Sequence, residues 1–258
     1  MRLLFTGCAL TITAAAQAEA PICTDRPTKA NAVCTVPAGR VQAETGLAGW
    51  SLTRMDGTRS KLLTLGASSA KFGLTAKSDL QIGFTPIARL TVRQDGGRQQ
   101  LAGVGDVVIR YKRRLTGDTS PVQAGIIPFI KLPTARRGLG NRRVEGGIAV
   151  PVSFGAGKST FTFGPELDLL ADGDGNGHHL SLVNLINLAV PVVPGLTVIG
   201  ELWSNYNFEP AGTVRQASAD AALAYALSDD LQLDAGANIG LTRDTPDIEL
   251  SAGASIRF

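Results

Sequence analysis

The chain has 258 residues, with 25 Lys and Arg against 22 Asp and Glu, so its formal net charge is +3 at pH 7. So small an excess of positive charge creates no long-range field for nucleic acid, which argues against nucleic acid as a partner. Hydrophobic residues make up 44% of the chain and 30 residues are glycine, a composition typical of closely spaced strands and turns in one domain.

The first residues have the pattern of a secretory signal peptide. Arg2 precedes an apolar run over 3–13, and a stretch of small residues follows over 14–20. This pattern predicts a cleaved signal over residues 1–18. Cleavage after Ala18 is favoured over cleavage after Ala20, because proline would directly follow the second cut. A lipoprotein signal at Cys8 is the alternative, but too few residues precede that cysteine to form an apolar region.

Two cysteines, Cys23 and Cys34, remain after the signal is removed. An even pair in an exported chain predicts a disulfide, here across a short N-terminal loop. A metal site would need more ligands than this pair supplies. We therefore expect residues 19–38 to form a disulfide-stapled periplasmic or plug-like segment ahead of the main domain at 39–258.

The last strand has the clearest periodicity in the chain. From Asp247 to Phe258 apolar and polar residues alternate without a break, with charged residues on one face only. A strand with lipid outside and a polar lumen inside requires this pattern, which indicates a membrane β-barrel. The terminal Phe258 also resembles the C-terminal assembly signal of bacterial outer-membrane barrels. That resemblance implies the barrel-assembly machinery as a partner during insertion.

The rest of the chain extends this pattern to an all-β, antiparallel, up-and-down barrel of about twelve strands. The strands are predicted near 40–54, 59–74, 79–92, 105–115, 121–132, 143–155, 160–171, 179–191, 196–208, 213–227, 231–242 and 247–258. Connections after the even strands are short and those after most odd strands are longer, including a loop over 94–105. This asymmetry predicts that both termini lie in the periplasm. The prolines inside strands, at 86, 128, 151, 165 and 191, predict bulges or kinks.

Two other folds remain as alternatives. A soluble β-sandwich has a similar number of strands, but it does not explain the signal peptide, the loop asymmetry and the terminal Phe258 together. The apolar window over 182–199 approaches the length of a transmembrane helix. Pro191, Pro194 and Gly195 would break that helix, so strand–turn–strand fits better.

Charged side chains on the less apolar face of each strand are predicted to line the lumen. These residues are Glu44, Arg89, Arg110, Lys112, Arg114, Lys131, Glu166, Asp168, Glu201, Asp220, Asp234 and Glu249. The bases fall on one wall and most acids on the other. Two interpretations stay open: a transverse field across a pore that orients a polar solute, or cross-lumen ion pairs that close a narrow barrel.

Some residues have the composition of a chemical site without its full pattern. The run from Asp172 to Gly177 matches the first half of a calcium loop, but Val183 stands where the bidentate Glu should be. His178 and His179 face opposite sides of a strand, so they cannot easily chelate one ion together. An outer-membrane lipase would need a Ser–His pair, and Ser181 is the nearest hydroxyl without a nucleophile motif around it. We therefore predict no enzyme activity, no cofactor and no resident metal.

Several short segments resemble a known family of outer-membrane transporters, named for its association with meta-pathway phenol degradation. They are Thr24-Asp-Arg-Pro27, the stretch Thr35 to Gly46, Lys131-Leu-Pro-Thr134, Val150-Pro-Val-Ser153 and Gly200-Glu-Leu-Trp203. The resemblance spans nearly all of the mature chain. It implies a barrel in the bacterial outer membrane for passive uptake of small solutes, aromatic or hydrophobic compounds among them. A closed barrel with a structural, anchoring or adhesion role is the alternative from another functional class.

Overall fold

The computed structural model describes residues 20–258, so the predicted signal peptide over 1–18 lies outside the described residues. The strands of the described chain are β1 (Val41–Met55), β2 (Thr58–Thr75), β3 (Ser78–Phe84), β4 (Ile87–Gln94), β5 (Gly97–Gly103), β6 (Val107–Arg114), β7 (Val122–Leu132), β8 (Glu145–Ala149), β9 (Val152–Ala156), β10 (Ser159–Phe163), β11 (Glu166–Ala171), β12 (His178–Val193), β13 (Leu196–Asn207), β14 (Val214–Ser228), β15 (Leu231–Gly240) and β16 (Ile248–Arg257).

These segments form one antiparallel sheet that closes into a barrel, because β1 pairs with both β2 and β16. Four strands of the barrel are each split in two: β3 with β4, β5 with β6, β8 with β9, and β10 with β11. The wall built by the described residues therefore has 12 strands. The predicted all-β barrel of about twelve strands is confirmed.

Prolines mark three of the four places where a strand is split. Pro86 separates β3 from β4, Pro151 separates β8 from β9, and Pro165 separates β10 from β11. The pairing of β12 with β13 shifts register directly after Pro191. Each proline lacks the N–H that a continuous ladder requires. Pro128 stays inside β7, at the level where the partner of that strand changes from β9 to β8.

The predicted loop over 94–105 is wrong, because most of it forms β5, which pairs with β4. The turn between them is Asp95-Gly96, with φ of 49° and 77°. Two positive φ values match the tight hairpin turn that Asp-Gly favours. The Asp56-Gly57 turn between β1 and β2 has the same conformation, with φ of 50° and 75°.

The apolar window over 182–199 forms β12, a Pro194-Gly195 turn and β13, as the strand–turn–strand prediction requires. In the chain from residue 20 onward, we find no helix of the length and apolar character needed to cross a membrane.

Side chains alternate between the two faces of the wall, as the last strand predicts. In β16, Gly253, Ser255 and Arg257 are buried, whereas Leu250 and Ile256 are exposed on the outer face. The same alternation runs along the first ten residues of β12. Apolar residues therefore cover the outside and polar residues line the inside, as a barrel in lipid requires.

Candidate functional site in the barrel lumen

Residues 20–38, here called the luminal segment, lie inside the barrel. The segment begins at the end of the barrel that carries the tight turns, here called the mouth. There the N–H of Ile22 donates to the carbonyl of Asp229 over 2.7 Å. Its other end leaves at the same mouth, where the N–H of Gly39 donates to the carbonyl of Gly73 over 3.0 Å. Between these ends the segment reaches Glu201 near the middle of β13.

The Cys23–Cys34 disulfide is present and joins the two arms of the luminal segment, with 6.0 Å between the Cα atoms. Each arm also bonds to the barrel wall. The Gln42 side chain donates to the Cys23 carbonyl over 2.7 Å. The N–H of Val36 donates to the Asp79 carboxylate over 3.0 Å. The disulfide therefore closes a compact loop within the segment, and hydrogen bonds hold that loop to the wall.

Asp25 connects the luminal segment to the basic wall. Its carboxylate accepts from Lys112 and from Lys71, each over 2.6 Å, and both lysines are almost fully buried. It also accepts from the N–H of Ala32 over 2.8 Å. Burial by itself would raise the pKa of Asp25, but Lys112 and Lys71 outweigh it and hold that pKa well below its ordinary value. Asp25 is therefore a fixed negative charge shared by two lysines.

Arg26 and Lys29 connect the same segment to the acidic wall. The Arg26 guanidinium donates to both oxygens of Asp234, over 2.7 and 3.1 Å. The Lys29 ammonium donates to Asp220 over 2.8 Å. Glu201 accepts from the backbone N–H groups of Lys29 and Ala30, each over 3.0 Å. These contacts match opposite charges at short range, which is the condition for holding charges away from water.

Glu44 and Arg110 are two further predicted lumen residues that bond the luminal segment. Glu44 is 4% exposed, pairs with Lys71, and accepts from the N–H of Asp25 over 3.2 Å. The Arg110 guanidinium donates to the Asn31 side chain over 2.5 Å. Charges from both walls thus meet on one short piece of chain, which lies in the tight-turn half of the lumen.

Next to Lys29 lies a cavity of about 320 Å³. Its lining includes Glu249 and Asn238, together with Leu62 and Thr64. The Lys29 ammonium forms its floor, 3.8 Å from Glu249 and 5.1 Å from the centre of the Trp203 ring. A cation over an aromatic ring is favourable when both are shielded from water. The cavity therefore offers apolar and charged groups together.

Four predicted residues lie in the wall away from these anchors. Lys131 pairs with Glu145 over 2.9 Å and with Asp106 over 3.3 Å. Arg114 lies near the tight turns, where it pairs with Asp118 and donates to the Ala76 carbonyl over 3.4 Å. Glu166 and Asp168 lie two positions apart on β11 and face inward.

Arg89 is placed differently from the expectation. It is exposed and pairs in register with Leu63, whose partner on β1 is Trp50 on the outer face. Inward and outward positions exchange at one level of these neighbouring strands: at the bulge around Leu47 in β1, at Gly66 in β2, and at the break between β3 and β4 that precedes Arg89. Counting every second residue from the start of a strand therefore gives the wrong face beyond this irregularity.

Sequence reasoning did not single out Asp25, Arg26 and Lys29 as contact residues, nor Lys71 on the wall. Lys71 had a readable signal, because it stands between outward-facing Ala70 and Phe72 in an alternating strand. The three segment residues had none, since their partners lie up to 208 residues away in the chain.

The considered lipase residues do not form a Ser–His pair. The Ser181 hydroxyl donates to the Asn205 side chain over 2.6 Å. His179 is buried and its Nδ1 contacts Asp172 over 2.7 Å, whereas His178 is exposed and contacts the Val144 carbonyl.

Comparison with known proteins gives one family and several similar folds. A family model described as "Putative MetA-pathway of phenol degradation" matches residues 24–258. An outer-membrane channel from Pseudomonas putida F1 superposes with a TM-score of 0.71 at 15% identity, over 88% of this chain and 98% of that chain. The NanC porin gives a TM-score of 0.54 at 9% identity, over 84% of this chain and 98% of the porin.

A third similar structure is the translocator domain of the autotransporter NalP from Neisseria meningitidis. Its TM-score is 0.54 at 10% identity, over 86% of this chain and 90% of that domain. At these identities the likeness establishes the fold, and no curated protein matches the chain.

Proposed function

Because the chain belongs to the family described as "Putative MetA-pathway of phenol degradation", we propose that it is a channel for passive uptake of small solutes, aromatic or hydrophobic compounds among them. The barrel lies in the bacterial outer membrane, with lipid around its apolar outer face. In this function the protein catalyses no reaction: solutes diffuse through the path that the barrel provides.

The observation that carries this proposal is the cavity above Lys29. Its volume of about 320 Å³ falls in the lower part of the range for small-molecule sites, roughly 300–1,000 Å³. Leu62 offers an apolar contact, while Lys29 and Glu249 offer charges of both signs. A small solute with an aromatic ring and a polar group finds partners for both parts here.

A groove on the outer face supports the hydrophobic side of the proposal. It has a volume of about 460 Å³ and is lined by Ile130, Ile148, Leu167 and Leu169, among others. Gly146 and Gly147 thin the wall at this point, next to the proline-bearing strand β7. Such a groove is what a solute partitioning from the lipid would contact first.

The ion pairs of the luminal segment favour the second candidate function, a closed barrel with a structural role. The segment occupies the tight-turn half of the lumen, so passage along the whole barrel requires it to move or to leave a narrow path beside it.

Liposome swelling with phenol-sized solutes separates the two functions. The channel function predicts faster entry of neutral aromatic solutes than into protein-free liposomes, and a further gain when Arg26 and Lys29 are replaced by Gln. Equal entry into protein-free liposomes, liposomes with the folded wild type and liposomes with the folded variant would support the structural role instead.

A further inference from the structure

Three side chains that could bind a metal converge at the rim opposite the tight turns. Asp172 follows β11, His179 is the second residue of β12, and Glu209 follows β13. Nδ1 of His179 lies 2.7 Å from an Asp172 oxygen and 3.5 Å from a Glu209 oxygen. The three potential ligand atoms all lie within 4.8 Å of one another.

The loop over 172–177 holds this group in place. The N–H of Gly173 donates to both oxygens of Glu209, each over 3.2 Å. Gly175 has a φ of 79°, and the N–H of this residue donates to the Asp172 carbonyl over 2.8 Å to close the turn. At Gly177 a Cβ would overlap the Asp172 carboxylate. The glycines thus allow the carboxylate to reach His179.

His179 is the buried member of this group of three side chains. The residue is 8% exposed, and among the described residues its Nε2 atom has no hydrogen-bond partner. A buried imidazole with two carboxylates on one nitrogen is satisfied by a proton on that nitrogen or by a cation in its place.

We propose that Asp172, His179 and Glu209 bind one divalent transition-metal ion, with zinc as the representative. One imidazole nitrogen and two carboxylates are ligands that zinc accepts, and a fourth position stays open to water. Calcium prefers six to eight oxygen ligands, which this group does not provide.

Two of the three separations between ligand atoms fit this proposal after a small adjustment. With ligand bonds of about 2.1 Å, tetrahedral geometry places two ligand atoms about 3.4 Å apart. The separation of 3.5 Å between His179 and Glu209 already matches. The contact of 2.7 Å between His179 and Asp172 must widen by roughly 0.7 Å once the ion replaces the proton between them.

The bound ion would join the loop over 172–177 to the residue that follows β13, and thereby fasten two neighbouring connections at one rim. The proposed ligands are not the adjacent pair His178 and His179. Only His179 takes part, and two carboxylates from separate connections complete the group.

Equilibrium dialysis against zinc tests the site on the refolded full-length barrel, purified without a polyhistidine tag. We expect one saturable equivalent of zinc for the wild type and for His178→Ala, whose histidine is exposed and absent from the ligand group. His179→Ala should lose the saturable equivalent, and Glu209→Gln and Asp172→Asn should each weaken zinc binding at least about 10-fold.

Heat-modifiable migration on gels verifies that every variant is folded before the zinc measurement. Retained saturable binding in folded His179→Ala would overturn the proposal. Loss of binding in His178→Ala, or no saturable binding by the folded wild type, would overturn it as well. These outcomes do not depend on solute entry, so they are independent of the proposed channel function.

Discussion

Arg26 and Asp234 lie 208 residues apart in the chain, and they meet in the lumen through two hydrogen bonds of 2.7 and 3.1 Å. The Asp234 side chain is fully shielded from solvent and that of Arg26 is 20% exposed. A bidentate pair in this setting is both strong and specific in direction. It fastens the luminal segment to β15 and fixes the height at which the segment crosses the barrel.

Replacing Arg26 with Gln should loosen the luminal segment without unfolding the barrel. The change leaves the Asp234 carboxylate buried without its partner, which costs roughly 3 kcal/mol. Hydrogen–deuterium exchange of residues 20–38 should then accelerate about 100-fold, while exchange in the strands stays unchanged. Arg54→Gln is the control, because Arg54 is 61% exposed and 3.9 Å from Asp247. Equal exchange in both variants would show that the Arg26 pair does not hold the segment.

Acid should release the segment through Asp25 only well below neutral pH. Because the pKa of Asp25 is lowered in the barrel, its stabilising effect is complete above the free-chain pKa of about 3.9. It is lost as the pH falls below that value toward the lowered pKa. Single-channel current should therefore stay constant from pH 7 to about 4 and rise below.

Asp25→Asn should raise the current already at pH 7 and flatten its dependence on acid. Asp118→Asn, a change at a side chain that is 78% exposed, should leave the profile as in the wild type. A rise in current near pH 6 that both variants share would contradict the role assigned to Asp25.

Removing the disulfide should affect the segment more than the barrel. A Cys23→Ser, Cys34→Ser double variant frees a loop whose ends are 11 residues apart, and closing such a loop contributes roughly 3 kcal/mol. We expect faster hydrogen–deuterium exchange over 20–38, with an unchanged temperature of heat modification for the barrel. A large fall in that temperature would mean that the disulfide stabilises the wall itself.

Gly73 is a site where one methyl group should displace the end of the luminal segment. A Cβ at this position would overlap the Pro37 carbonyl, and backbone cannot rotate away as a side chain can. Gly73→Ala should therefore destabilise the segment by about 1–3 kcal/mol, measured by exchange at residues 36–40. Gly200→Ala is the matched control in another strand, since nothing lies within 4 Å of the position that its new methyl group would take. Similar exchange in the two variants would contradict close packing at Gly73.

The strands were predictable because each side of the wall faces a different solvent. Lipid outside and charge inside impose period 2, and β16 shows it along its whole length. The strand β5 was also predictable from the sequence: Asp95-Gly96 between extended residues is a strong hairpin signal. The error there came from treating charged residues around the turn as a loop.

The path of the luminal segment could not be predicted from local pattern. The contacts of Asp25 with Lys71 and Lys112 join residues 46 and 87 positions apart, and no periodicity encodes them. The prediction for Arg89 failed for a different physical reason, because the break between β3 and β4, opposite the irregularity at Gly66, exchanges the inner and outer faces of that strand. The alternation of inward and outward side chains holds only along an uninterrupted strand, and a single bulge reverses it.

The most direct test of the account is single-channel conductance in a planar bilayer, comparing the wild type with the Asp25→Asn, Arg26→Gln, Lys29→Gln triple variant. We expect small or rare steps for the wild type and larger, stable, ohmic steps once these three anchors are gone. Identical conductance in the two folded proteins, or silence in both, would contradict a channel whose lumen is narrowed by this segment.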